Sequence, residues 1–210
     1  MIKLKDLLDV NKMKYSDSVE LKHQKSINQK TEIISDDMRV PVTPFPENSS
    51  RESRRELEHL VHYNNGTIDE DMVKEGDDIE EVFESYCKDN DLVYDKDYYS
   101  QILKESKKTI LSLKYYYNRP RPFQLAEFYN IQEFKKFDLP SMKTPSYPSG
   151  HSTQGHLMAE LLGKKYPKHY DNLKKLADFV SKSRLMARAH YISDCTFGEE
   201  VAHHIVAKIK

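Results

Sequence analysis

The sequence predicts an all-α fold in one domain, and three observations carry that expectation. Apolar residues recur at helical spacing in several separate segments. No segment alternates apolar and polar residues as a half-buried strand does. The length, 210 residues, suits a single domain with a sizeable core. The chain divides into a polar N-terminal arm over residues 1–40 and a helical domain over 41–210.

Residues 1–10 form a short amphipathic segment with Leu4, Leu7 and Leu8 on one side. Residues 11–37 are polar and almost free of aromatics, which reads as a loosely held arm. Three prolines between Arg39 and Pro46 predict an extended strap over the surface. Ser49 or Ser50 is the N-cap of a helix through Leu57, Leu60 and Val61 that ends near Asn64-Asn65-Gly66. Ile79, Val82, Phe83 and Tyr86 mark a helix over 77–88. Ile102, Ser106, Ile110, Leu113 and Tyr117 mark a longer one over 97–117, which Arg119-Pro120-Arg121-Pro122 terminates. Residues 123–147 hold no long periodic run and read as a surface excursion. Further helices are expected over 153–165, from Asp171 to about Ile192, and over 199–209.

The 33 basic residues are matched by 34 acidic ones, for a net charge of −1, so a general nucleic-acid binder is not expected. Charges interrupt the first ten residues, no apolar signal-peptide core is visible, and no run approaches a membrane span. A cytoplasmic protein is the expectation, with neither nucleic acid duplex nor membrane as partner and homo-oligomer formation left open. Cys87 and Cys195 fit a reducing compartment better than a disulfide framework, although pairing is not excluded.

Three clusters carry chemistry. Read as a continuous helix, Ser183, Ala187, His190 and Asp194 fall at offsets 0, 4, 7 and 11 on one face, beside Arg184. An imidazole one turn from a carboxylate, next to a fixed positive charge, outlines an anion site with a nucleophile or base. Upstream, Lys114 and Arg121 offer a point charge and a two-pronged fork for oxygens. In Ser146-Tyr147-Pro148-Ser149-Gly150-His151 a constrained turn leads into a helix, aims backbone N–H groups at one spot and sets His151 at its rim. His156, the His203-His204 pair, Cys195 and the Tyr115-Tyr116-Tyr117 run read as packing or surface residues.

In chain order the clusters are Lys114-x6-Arg121-Pro122, Pro148-Ser149-Gly150-His151 and Ser183-Arg184-x5-His190-x3-Asp194. This set resembles, without a substitution, the three-part signature of the type 2 phosphatidic acid phosphatase superfamily. That superfamily also includes class A non-specific acid phosphatases and vanadium haloperoxidases. The resemblance covers about residues 98–206 and is most like the soluble acid phosphatases, although their usual signal peptide is not visible here. It implies a helical bundle of the acid phosphatase/haloperoxidase type and a metal-independent, vanadate-inhibited phosphomonoesterase with no cofactor, acting on a small phosphorylated substrate.

The resemblance also implies roles. His190 takes the phosphoryl group as a phosphohistidine, Asp194 orients it, and His151 protonates the leaving group. Lys114, Arg121, Ser149, Gly150 and Arg184 hold the phosphate oxygens. One histidine neutral and one charged predict a bell-shaped pH profile on the acid side of neutral. The alternatives are a vanadate-loaded haloperoxidase and a non-catalytic phosphate- or metal-binding protein using His151, His190 and Asp194.

Overall fold

The computed structural model describes residues 4–36 and 39–210, with side chains from residue 8 onward. Among the described residues the chain forms ten α-helices and no strand; one bridge pairs Ile34 with Ile209. In chain order the helices are α1 (Leu4–Asn11), α2 (Leu21–Ile27), α3 (Arg51–His62), α4 (Glu70–Glu75), α5 (Ile79–Asp89), α6 (Lys96–Tyr117), α7 (Pro122–Phe128), α8 (Gly150–Lys165), α9 (Tyr170–Met186) and α10 (Ile192–Val206). None of them is long and apolar enough to cross a membrane. On α1, Leu8 is exposed and Val10 is buried, while the Leu4 and Leu7 side chains expected beside them lie outside the described residues.

α8 is the central element. A short turn over Tyr166–His169 folds α9 back along it, and α10 crosses it on another side. Met158 and Leu162 of α8 pack with Phe83, Leu173, Ala177 and Val180, whereas Leu157 packs with Ile102, Phe197, Val201 and Ile205. Each of these side chains larger than alanine contributes about 1.5–3 kcal/mol on burial. α10 approaches so closely that a Cβ on Gly198 would stand 2.9 Å from the Ser149 carbonyl oxygen and 3.1 Å from Ser152 Cβ.

Several expectations hold and several are corrected. Ser50 is the N-cap of α3, accepting from the Ser53 N–H at 3.1 Å. The strap lies as an irregular segment whose Phe45 ring packs against Tyr117 and Tyr147. Cys87 and Cys195 are free, buried thiols in separate clusters. The arm, however, is not loosely held. α2 packs on α6, and the buried Glu105 carboxylate accepts from the backbone N–H groups of Glu32, Ile33 and Ile34 at 3.0, 3.0 and 2.8 Å. Those backbone contacts anchor a stretch whose side chains carry no periodic signal.

The expected surface excursion contains α7, which starts with Pro122 at its first position, where a proline's missing N–H costs nothing. Leu125, Ala126, Met142 and Tyr147 of that stretch are buried. α8 begins at Gly150, three residues before the expected start at 153, and α10 begins at Ile192 rather than Glu199. The expected helix from Asp171 to about Ile192 is in fact broken. Arg188 is left-handed (φ 54°), the Ala189 N–H returns to the Arg184 carbonyl and the Arg188 N–H to that of Leu185. That is a Schellman ending built on a non-glycine residue. The left-handed backbone costs about 1 kcal/mol. The Arg188 guanidinium offsets it by donating to the carbonyls of Lys135, Val61 and Gly66.

Candidate active site

The break re-routes the geometry of the last cluster. Ser183 is on α9, His190 is in the turn, and Asp194 is at the third position of α10. Asp194 Oδ2 accepts from the Tyr191 N–H at 3.0 Å, a cap that starts α10. One helical face through Ser183, Ala187, His190 and Asp194 therefore does not exist. His190 and Asp194 still meet, because the cap turns the carboxylate back over the preceding residues.

His190 lies between two partners that fix its tautomer. Its Nδ1 is 3.1 Å from Asp194 Oδ2, and its Nε2 is 3.0 Å from Arg121 Nη1. A carboxylate only accepts and a guanidinium only donates, so Nδ1 carries the proton and Nε2 presents a lone pair. Burial and the Arg121 charge push the imidazole well below its ordinary pKa, against Asp194, which favours the proton.

Lys114, Arg121, Gly150, His151 and His190 line one cavity of about 400 Å³. Lys114 Nζ donates to the Pro145 carbonyl at 2.6 Å. Arg121 donates to the carbonyls of Thr144, Ala189 and Ser141. Neither cation has a carboxylate partner within ion-pair distance among the described residues. Burial lowers both, Lys114 well below its usual range and Arg121 to about 10. Buried charge without a counter-ion is costly, so the cavity floor favours an anion.

Ser149, Arg184 and Asp194 stand behind the wall rather than in it. Ser149 caps α8: its Oγ accepts from the Ser152 N–H at 3.3 Å, and its own N–H donates to the Asp194 carbonyl at 2.9 Å. Arg184 spends its donors on Asp77 Oδ1 (2.5 Å), the Val73 carbonyl (2.6 Å) and Ser183 Oγ (2.9 Å). His151 Nε2 is 3.1 Å from the same Asp77 oxygen. Burial lowers the His151 pKa against the pull of Asp77, while the bonds to His151 and Arg184 hold Asp77 below its usual range.

Three residues of the site carried no assignment in the sequence. Arg119, fully buried, donates to Asp194 Oδ1 at 2.6 Å and Glu56 Oε2 at 3.0 Å, and stacks on the Tyr191 ring with its guanidinium carbon 3.8 Å from the centroid. Glu56 also accepts from the Ser193 N–H at 2.7 Å. Asp77 joins His151 to Arg184. Glu56 and Asp77 are isolated carboxylates far along the chain from their partners, and no local pattern marks them. Among the described residues, no group of three or more histidine, cysteine or carboxylate side chains is placed to hold a metal ion.

Fold and cavity define an all-helical protein with a cationic, histidine-bearing pocket. The family described as the PAP2 superfamily matches residues 100–206, half of the chain, and the chain belongs to that superfamily. It is 35% identical over 91 residues to a non-specific acid phosphatase of Salmonella typhimurium, covering 43% of this chain and 35% of the relative. It is 32% identical over 93 residues to an acid phosphatase of Zymomonas mobilis subsp. mobilis, covering 44% and 34%. The match thus spans about a third of the length of these curated relatives. A bacterial vanadium-dependent iodoperoxidase shares the fold, with a TM-score of 0.58 at 15% identity over 83% of this chain and 52% of that one.

Proposed function

We propose that the protein is a metal-independent phosphomonoesterase that hydrolyses small soluble phosphate esters through a phosphohistidine. The observation that carries this reading is the setting of His190 in the cavity beside Lys114 and Arg121, with Nδ1 on the Asp194 carboxylate and Nε2 on the Arg121 guanidinium, an arrangement that leaves Nε2 the lone pair. In the reaction Nε2 attacks phosphorus, and the bond to the ester oxygen breaks. Arg121 leaves Nε2 for a phosphate oxygen, and Lys114 with the Gly150 N–H takes others. Asp194 holds the Nδ1 proton and stabilises the ring as it becomes positive. The incoming dianion favours the protonated form of His151, which gives its proton to the departing alkoxide. His151 then takes a proton from the water that attacks the phosphohistidine, releasing inorganic phosphate and restoring His190. Arg184 acts through Asp77, which orients His151.

The family membership and the acid phosphatase relatives support this reading. The test is hydrolysis of a chromogenic aryl phosphate in excess chelator, with vanadate as inhibitor. The expected result is chelator-resistant turnover, abolished in His190→Ala. Full activity in that variant, or turnover lost to chelator and restored by metal, overturns it. Vanadate is shaped like phosphate and fits the same donors, so halide oxidation by peroxide after vanadate loading is the companion assay. Its rate is expected to stay at background.

A further inference from the structure

The cavity carries more positive charge than one phosphate needs. α6 lines it with Lys107, Ile110, Leu111 and Lys114, offsets of 0, 3, 4 and 7 that share one helical face. Seven residues place the two lysine backbones about 10 Å apart along the axis. Lys114 is buried at the floor, Lys107 is exposed, and the aliphatic pair lies between them. From α2 the same cavity receives Lys22 and His23. α2 is held against α6: His23 Nδ1 is 2.7 Å from Tyr115 Oη, and just past the helix end Lys108 Nζ donates to the Gln29 carbonyl at 2.9 Å. Among the described residues the ion-pair partner of Lys22 is the exposed Glu20, at 3.0 Å, and Lys107 has none. Among the described residues, those lining the cavity include no carboxylate.

We infer that Lys107 and Lys22 form a rim that binds a second anionic group, so that the preferred substrates are bisphosphates with a sugar-sized spacer lying along Ile110 and Leu111. The inference rests on the phosphatase reading and adds the substrate class to it. The phosphate at the floor loses its ester bond to water. The rim phosphate departs intact on the alcohol, so one bisphosphate and one water give inorganic phosphate and a monophosphate. Pyrophosphate, whose two phosphorus atoms share one oxygen, is too short to reach both ends.

The test compares kcat/KM for fructose 1,6-bisphosphate, fructose 1-phosphate, fructose 6-phosphate and pyrophosphate, in chelator, at low and high salt. The bisphosphate is expected to exceed the better monophosphate by about fivefold or more at low salt, the advantage that two exposed lysines supply. That advantage shrinks in high salt, and the Lys22→Ala/Lys107→Glu double variant brings the ratio to about one. Equal rates for bisphosphate and monophosphates, a ratio unchanged in the double variant, or pyrophosphate matching the bisphosphate overturns the inference. Calorimetric binding of the same esters to His190→Ala reads the preference without turnover. Preferential binding with no hydrolysis of any ester by the unmodified protein overturns the phosphatase reading alone, whereas equal affinities overturn the rim.

Discussion

At Asp194 two carboxylate oxygens receive Arg119, His190, Ser146 Oγ and the Tyr191 N–H. Burial works against its charge, but Arg119 and these donors outweigh it and hold the group below the ordinary carboxylate range. Asp194→Asn keeps the shape and removes the charge. Arg119 loses one buried counter-ion, for which about 3–5 kcal/mol is expected in chemical denaturation. The amide can also donate to Nδ1, which moves the ring proton to Nε2 and blocks attack, so kcat is expected to fall by about 10²–10⁴-fold. A variant with unaltered kcat would show that the tautomer is not set by Asp194.

At the scale of elements, the site is a meeting of helix starts and ends. Lys114 lies in the last turn of α6, Arg121 is the N-cap residue of α7, Ser149 caps α8, and His190 occupies the turn between α9 and α10. The Ser149 N–H bond to the Asp194 carbonyl ties the start of α8 to α10, where Gly198 leaves no room for a Cβ. Gly198→Ala is therefore expected to cost about 1–3 kcal/mol by overpacking. It should also lower kcat, because the displaced α10 carries Asp194; stability and activity measured on one preparation check both effects. Spacing made much of this legible. Lys114, Arg121, His151, His190 and Asp194 were readable because each sits at a fixed offset in a short segment. The break at Arg188 was not, since a left-handed arginine leaves no glycine or proline to mark it. α7 was hidden by its brevity and by a proline that opens a helix instead of ending one.

For the whole molecule, the helical class followed from periodicity, whereas the packing of the arm did not, because Glu105 holds it through backbone N–H groups that have no sequence signature. The long-range carboxylates Glu56 and Asp77 were equally invisible among 34 acidic residues. Charge burial also sets the acid response of the fold. Burial lowers His151, His156 and His190 below the ordinary value. The unfolded chain therefore takes up these protons first as pH falls through about 6.5, and stability drops. Asp77 and Asp194, also depressed in the folded state, add a second loss below about pH 4. Thermal melts are expected to show a Tm at least about 2–4 °C lower at pH 5 than at pH 7. A Tm that is flat across that interval would contradict neutral buried histidines.

The two cations at the cavity floor have a thermodynamic corollary. A folded chain that buries Lys114 and Arg121 with no carboxylate at ion-pair distance among the described residues gives up folding free energy that an oxyanion can restore. Binding to the native state alone stabilises by RT ln(1 + [L]/Kd), about 2.7 kcal/mol at a hundredfold excess over Kd. Inorganic phosphate should therefore raise the melting temperature in a dose-dependent way, and chloride at equal ionic strength should not. The pocket then acts as a linkage between phosphate supply and the folded population of the protein.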